Sequence, residues 1–443
     1  MSTQGWKLDA HRRSINIGPP LATLALLPVQ AAVRLTPQIF LATLLIFLFR
    51  PPDVDLYELD RIAFLVLAVA CLLRTVVLGK SLWPAIPLIR VMLPLALLAV
   101  IPLLGQPYNP QTWSLLAAKF AVPYALYYLA SLTFDTPTAF RHLETFFLWV
   151  LGYLSFTAIL QFLGWDALVF PRFILNPELG IHIERARGPF LQAVANGVTL
   201  NLLGLVAFSA VYRGRLRGWI AILLLAALPI AILATMTRAV WLGFAGSIMW
   251  LGLSSRGIWR KISAATGVVA ALGLLVTLMT PKSESALLDR AEDQSPVEFR
   301  MAVYQTALEM AGEHPLLGWG VNQMPQEIAQ RVEGYRSEAY AAHNSYLEIF
   351  VENGIVGFAL YLWIALGLFR LGRKPTADDA WQNTLAGEAF RRLWPVLVCV
   401  YLFNACFVVM NYQFVNALVF TLAGVLAVHR PIPAGRRRAF ASR

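Results

Sequence analysis

"AYAAHNSYLEIFVENGIVGFALYLWIALGLF", residues 339–369, joins a polar opening to a long apolar continuation. From residue 344 onward the run is long enough to cross about 30 Å of hydrocarbon as a helix. It nevertheless begins with His343, Asn344 and Ser345, and Glu348 and Glu352 follow one and two turns into the apolar part. Asn344 or Ser345 suits a helix N-cap. Capping needs no histidine and does not account for the glutamates. Ionisable groups at membrane depth are costly, so they face polar cavities or partners.

The rest of the chain shares this apolar character. Its 443 residues are 58% hydrophobic and 14% charged, with mean hydropathy +0.62. Soluble domains carry about 25% charge. The apolar residues fall in runs that predict an all-α polytopic membrane protein with about twelve spans, at 21–49, 59–77, 83–104, 112–132, 139–163, 191–212, 217–234, 239–254, 261–280, 344–370, 392–410 and 412–429. The first run carries Pro28 and Arg34 and reads as one tilted helix or as a hairpin. Barrel-type alternation is absent. Three regions follow: nine spans over 1–280, an extramembrane segment over 281–343, and three spans with a basic tail over 344–443.

Cys71, Cys399 and Cys406 all lie in apolar runs, without a CxxC or Cys/His grouping, so neither a disulfide framework nor a zinc site is suggested. The N-terminus lacks a cleavage-site pattern, and the first span reads as an uncleaved signal. The net charge of +11 does not point to nucleic acid. With the N-terminus in the cytoplasm, more than half of the 36 Lys and Arg residues fall in cytoplasmic segments, and the external loop 105–111 has none. Both termini are then cytoplasmic.

This registration gathers unusual residues on the external face. The loop 164–190 ends in "RARGPF", with Arg185 and Arg187. The turn 235–238 is "TMTR", ending in Arg238. Segment 281–343 holds ten acidic and five basic residues, so it is no polybasic lipid tether. Within it a helix is predicted from Ser295 and Pro296, carrying Arg300, with apolar residues at 299, 303, 307 and 310 on one face. His314-Pro315 ends that helix, and His314 reads as a capping or packing residue. Lys119 lies about two turns into the fourth span. Arg172, Arg331 and Arg336 read as interfacial anchors, His182 as an exposed loop residue, and Arg34 and Arg90 as candidates to line a cavity.

Arginines bind phosphate oxygens bidentately, and a histidine of near-neutral pKa suits deprotonation of a hydroxyl. The combination points to group transfer from a lipid diphosphate to an alcohol. The arginines would neutralise the departing diphosphate, and His343 would act as general base. Lys119, His314 and Glu348 are accessory candidates, with Glu348 set to orient His343 or to pair with an arginine. A transporter is the competing class, but its charged sites would lie near the midplane between repeats. A scaffold would not need the arginine–histidine set.

"ATMTRAVWLGF", "EFRMAVYQTALEMAGEHPLLGWGVNQM" and "AAHNSYLEIFVENGIVGFALY", in that order, resemble the signature of the bacterial O-antigen ligase and polymerase superfamily. "RARGPFLQAVAN" resembles a further Arg-x-x-Gly element of the family. One departure is "LQAVAN", where many relatives have Asn-Pro-Asn, which leaves the role of Asn196 open. The resemblance covers about residues 185–360. It implies a GT-C-like membrane glycosyltransferase in the bacterial inner membrane, with a periplasmic active site and membrane lipids around it. The implied donor is a glycan on undecaprenyl diphosphate, and the implied ligase acceptor is lipid A–core. It further implies inversion at the anomeric centre and no metal, nucleotide or other cofactor. His343 matches the family's essential histidine, Arg238 and Arg300 its essential arginines, and Arg185 its Arg-x-x-Gly position, with Arg187 next to it. A Wzy-type polymerase is the alternative within the superfamily, followed by a protein O-oligosaccharyltransferase.

Overall fold

The computed structural model describes residues 21–50, 58–84, 86–180, 182–254, 257–279, 295–332, 344–373 and 379–428. Among these residues the chain is helical and contains no strand. In chain order the principal helices are α1 (Leu21–Leu48), α2 (Leu59–Val77), α3 (Ile89–Val100), α4 (Pro110–Thr133), α5 (Pro137–Leu163), α6 (Ala193–Tyr212), α7 (Gly218–Ala234), α8 (Arg238–Ser254), α9 (Ile258–Met279), α10 (Ser295–Glu313), α11 (Met324–Arg331), α12 (Ser345–Leu371), α13 (Glu388–Ala405) and α14 (Gln413–Val428). Each of the twelve apolar runs holds a helix. The first is one helix rather than a hairpin. By length and composition α4, α5, α6 and α12 are apolar enough to cross a membrane, and the protein is an integral membrane protein.

Local chemistry sets several helix starts. The side chain of Asn109 accepts from the N–H of Gln111 at 3.0 Å, with Pro110 at the first position of α4. Thr136 does the same for α5, accepting from Ala139 at 3.2 Å. The helix α4 is not regular throughout. Residues Ala117–Ala121 form a π-bulge, where the extra residue per turn rotates the side chains that follow.

The core forms around α6 and α14, which are buried along nearly their whole length. Both are apolar on all sides, as expected for helices enclosed by others. α6 packs against α5, α7, α8 and α13, and α14 lies along α4. One end of the bundle is closed by the buried Arg391. Its guanidinium donates to the carbonyls of Leu371 (2.8 Å), Ala386 (2.8 Å) and Leu426 (3.1 Å), near the C-terminal ends of α12 and α14. A cation suits that position because the helix carbonyls there lack backbone partners. At the same end Arg213 pairs with the buried Glu144. α10, α11 and the 164–190 loop lie at the opposite end, where α4, α6, α8, α12 and α14 begin.

Candidate active site

The site is built at that second end by three backbone arrangements. The first joins two arginine-bearing segments that are far apart in sequence. The N–H of Ala186 donates to the carbonyl of Ala234 at 3.0 Å. The carbonyl of Ala186 accepts from Asn196 Nδ2 at 2.8 Å. The "RARG" segment is thereby fixed beside the turn that ends in Arg238. That turn is held by Thr235 Oγ1 on the Ile232 carbonyl (2.7 Å) and Thr237 Oγ1 on the Thr235 carbonyl (2.9 Å). Arg238 is the exposed first residue of α8. Arg185 is largely buried, with Nε 3.5 Å from the half-exposed Glu184. Gly188 closes the segment at φ +55°, and a Cβ there would lie 2.9 Å from the Asn196 side chain. Asn196 therefore works as a backbone clamp.

Arg187 does not join Arg185 in the site. It is fully buried, and its guanidinium donates to the carbonyls of Ile174 (2.8 Å), Asn176 and Leu179. Burial pulls it below the usual arginine range. Inward-facing and saturated by carbonyls, it anchors the 164–190 loop rather than sharing phosphate with Arg185. Arg34 and Arg90 also depart from expectation, since both are exposed on the outside of the bundle rather than lining a cavity. His182 is half exposed, 3.3 Å from Glu184.

The second arrangement is a strap inserted into a broken helix. Gly354, inside α12, has φ +62° and ψ −170°, which no helix contains. The break frees the carbonyls of Val351 and Glu352 and the N–H groups of Ile355 and Val356. The segment after α10, "HPLLGWG" (314–320), supplies every partner. Trp319 N–H donates to the Val351 carbonyl (2.9 Å), and Gly320 N–H to the Glu352 carbonyl (2.8 Å). The carbonyls of Pro315 and Leu316 accept from Ile355 (2.8 Å) and Val356 (3.3 Å). Broken backbone at membrane depth survives only when protein satisfies it. The glycines permit the close approach. A Cβ on Gly318 would lie 2.5 Å from Asn353 N, and one on Gly354 would lie 2.3 Å from the Leu316 carbonyl carbon.

Beside the strap, α10 packs through Val303, Ala307 and Met310 against Met324 and Ile328 of α11 and Val351 of α12. Arg300 lies in the first turns of α10, on the end remote from the strap. His314 ends the helix, its N–H on the Met310 carbonyl (3.3 Å) and its ring edge-on to Trp319 with centroids 4.5 Å apart. Arg331 lies over the same indole, 5.3 Å from its centroid. His314 is thus a packing residue at the strap's beginning.

The third arrangement concerns the start of α12. His343 and Arg336 lie outside the described residues. Of the two capping candidates it is Asn344 that caps, its Oδ1 accepting from Tyr346 (3.0 Å) and Leu347 (3.1 Å). Ser345 instead ties the helix to the α13–α14 corner, donating to the Val408 carbonyl at 2.8 Å and accepting from Met410 N–H at 2.7 Å. Glu348 pairs with neither a histidine nor an arginine among the described residues. It pairs with Lys119, which rises from the α4 π-bulge to within 2.7 Å of Glu348 and 3.0 Å of Glu352. Among the described residues no three His, Cys, Asp or Glu side chains form a metal-binding group.

Residues 220–362 match the family model described as O-antigen ligase. This part of the chain, about a third of its length, is similar to the O-antigen ligase family. No curated protein matches it. The family segment contains the Arg238 turn, α10 with Arg300, the strap, the helix break and the start of α12. Arg185, Arg187 and Lys119 lie outside it. The match points, in general terms, to a membrane glycosyltransferase that handles lipid-linked glycans.

Proposed function

We propose that the protein is an O-antigen ligase. It transfers a glycan from undecaprenyl diphosphate to a sugar hydroxyl of lipid A–core at the periplasmic face of the inner membrane, within a GT-C-like bundle of about twelve spans in three regions. The observation that carries this reading is the Ala186–Ala234 hydrogen bond, which fixes the Arg185 segment beside the Arg238 turn of the family-matched part. Two guanidinium-bearing segments held by backbone, rather than by mobile side chains, suit a diphosphate whose charge grows as it departs.

In the proposed reaction Arg185, Arg238 and Arg300 bind the diphosphate while the polyprenyl chain stays among membrane lipids. His343 accepts the acceptor hydroxyl proton as that oxygen bonds to the sugar's anomeric carbon. The bond from that carbon to the diphosphate oxygen breaks, its electron pair leaves with undecaprenyl diphosphate, and the configuration inverts. The residues supply the positive charge, so no metal or other cofactor is invoked. Holding both lipid-borne reactants at one membrane surface supplies proximity.

The test is product identity. Purified protein is incubated with undecaprenyl-diphosphate-linked glycan, with and without lipid A–core. Glycan moved onto lipid A–core, and only when it is present, is the expected result. Lengthened lipid-linked glycan in its absence would replace this reading with a polymerase. Protein that moves the intact donor across vesicles without forming a glycosidic bond would replace it with a transporter.

A further inference from the structure

The three-residue ion cluster deep in the bundle has no role in the chemistry set out above. Lys119, Glu348 and Glu352 have side chains that are 6%, 10% and 0% exposed. Glu352 also accepts the N–H of Asn322 at 2.7 Å, and Asn322 Nδ2 donates to Thr112 Oγ1 at 3.0 Å. Three elements therefore meet at this cluster: the π-bulge of α4 through Lys119, the first part of α12 through its glutamates, and Asn322 just after the strap. A cavity of about 30 Å³ adjoins Lys119 and Glu348, lined further by Tyr124, Ser345, Tyr361 and Tyr401. It has room for water, since a single water needs about 10–15 Å³.

Desolvating three charges is expensive, and apolar side chains of equal volume would hold the helices together at least as well. Stability alone is thus a poor explanation. Geometry offers a better one. The break at Gly354 detaches residues 345–353 from the remainder of α12, leaving a half-helix that must be held by other means. Glu348 and Glu352, four apart, lie on one face of it. A single ammonium bonded to both fixes its rotation about its own axis.

We infer that Lys119 is a positioning residue: with Glu348 and Glu352 it locks the rotation of half-helix 345–353, which the Asn344 cap begins. The inference rests on the proposed function, because it assumes that the residue preceding the Asn344 cap reacts. The consequence for rate is large. Side-chain atoms lie about 5–6 Å from a helix axis, so a rotation of about 20° moves them about 2 Å. A displacement of about 1 Å can cost roughly 10²-fold in rate.

The variant Lys119→Met alone strands two buried carboxylates and endangers folding. The triple variant Lys119→Met/Glu348→Gln/Glu352→Gln removes every charge and keeps hydrogen-bonding groups. The expected result is a folded triple variant whose melting temperature matches wild type and whose kcat for transfer falls roughly 10²-fold, with little change in donor KM. Hydrogen exchange of amides 345–353 should quicken in the same variant. Wild-type kcat or wild-type exchange in a well-folded triple variant would overturn the inference and leave simple charge compensation. Glu348→Gln alone keeps a neutral Lys119–Glu352 pair and decides the matter if the triple variant fails to fold. Lost kcat at unchanged melting temperature supports the lock, and unchanged kcat overturns it. If wild type transfers no glycan, the enzymatic reading fails by itself, and the exchange comparison still decides whether the lock exists.

Discussion

Replacing Gly318 by alanine tests whether the 314–320 strap is what stabilises the break in α12. The residue has φ +74°, and its new Cβ would lie 2.5 Å from Asn353 N, 2.5 Å from the Glu352 carbonyl carbon and 2.6 Å from its oxygen. All three are backbone atoms, so no flexible side chain can yield. A left-handed backbone costs an L-residue about 1–2 kcal/mol. Moving the strap away also stretches the bonds from Trp319 N–H and Gly320 N–H, at 2.9 and 2.8 Å. Leaving their buried partners unsatisfied costs about 1–3 kcal/mol each. The sum is about 3–8 kcal/mol, comparable with the whole stability of many domains at about 5–15 kcal/mol. The assay is thermal unfolding of the purified protein in detergent, beside Gly312→Ala. Gly312 lies in α10 with open space around it, and alanine there should be neutral or stabilising by up to about 1 kcal/mol. Gly318→Ala melting with wild type would refute the strap's role.

Arg187→Ala removes the donor from one buried and two partly buried carbonyls and should cost about 1–3 kcal/mol of stability, whereas Arg185→Ala should leave the melting temperature unchanged and lower turnover. Arg238→Ala and Arg300→Ala should each abolish transfer in protein that elutes and melts like wild type, and retained activity in both would remove the diphosphate assignment. Asn344→Ala deletes the cap of α12 and should cost about 1 kcal/mol of stability, read by melting. Hydrogen bonds from Arg331, one of them at 2.9 Å, hold the Glu313 carboxyl below the usual carboxylate range. The pair's contribution is therefore present above the unfolded carboxylate value and is lost as pH falls through the lower folded one. Because the pair is exposed, the stability of Glu313→Gln should differ little from wild type at neutral pH and in high salt.

Helix placement was legible because each apolar run is long, and composition alone carries that signal. The Asn344 cap, the start of α10 and its buried face at 303, 307 and 310 were also readable, since they depend on neighbours within a few residues. The partner of Glu348 was not, because Lys119 lies 229 positions away and faces it only by virtue of a π-bulge that no local pattern announces. Arg187 was misread for a related reason. Two arginines separated by one residue look equivalent in sequence, yet the turn at 182–185 and the helical backbone of Arg187 send them different ways. One met the protein interior, where the carbonyls of Ile174, Asn176 and Leu179 awaited a donor. The glycines at 318 and 354 stood out as a motif. Their direct contact, and the repaired helix break it permits, required the fold.

In the proposed reaction this arginine-flanked site transfers glycan with His343 as base. The most direct measurement is a single turnover with donor prebound. Wild type and His343→Ala are loaded with undecaprenyl-diphosphate-linked glycan, donor retention is measured, lipid A–core is added, and the products are resolved by mass. Both proteins should retain donor, and only wild type should form glycosylated lipid A–core. Transfer by His343→Ala at the wild-type rate would contradict the proposed reaction.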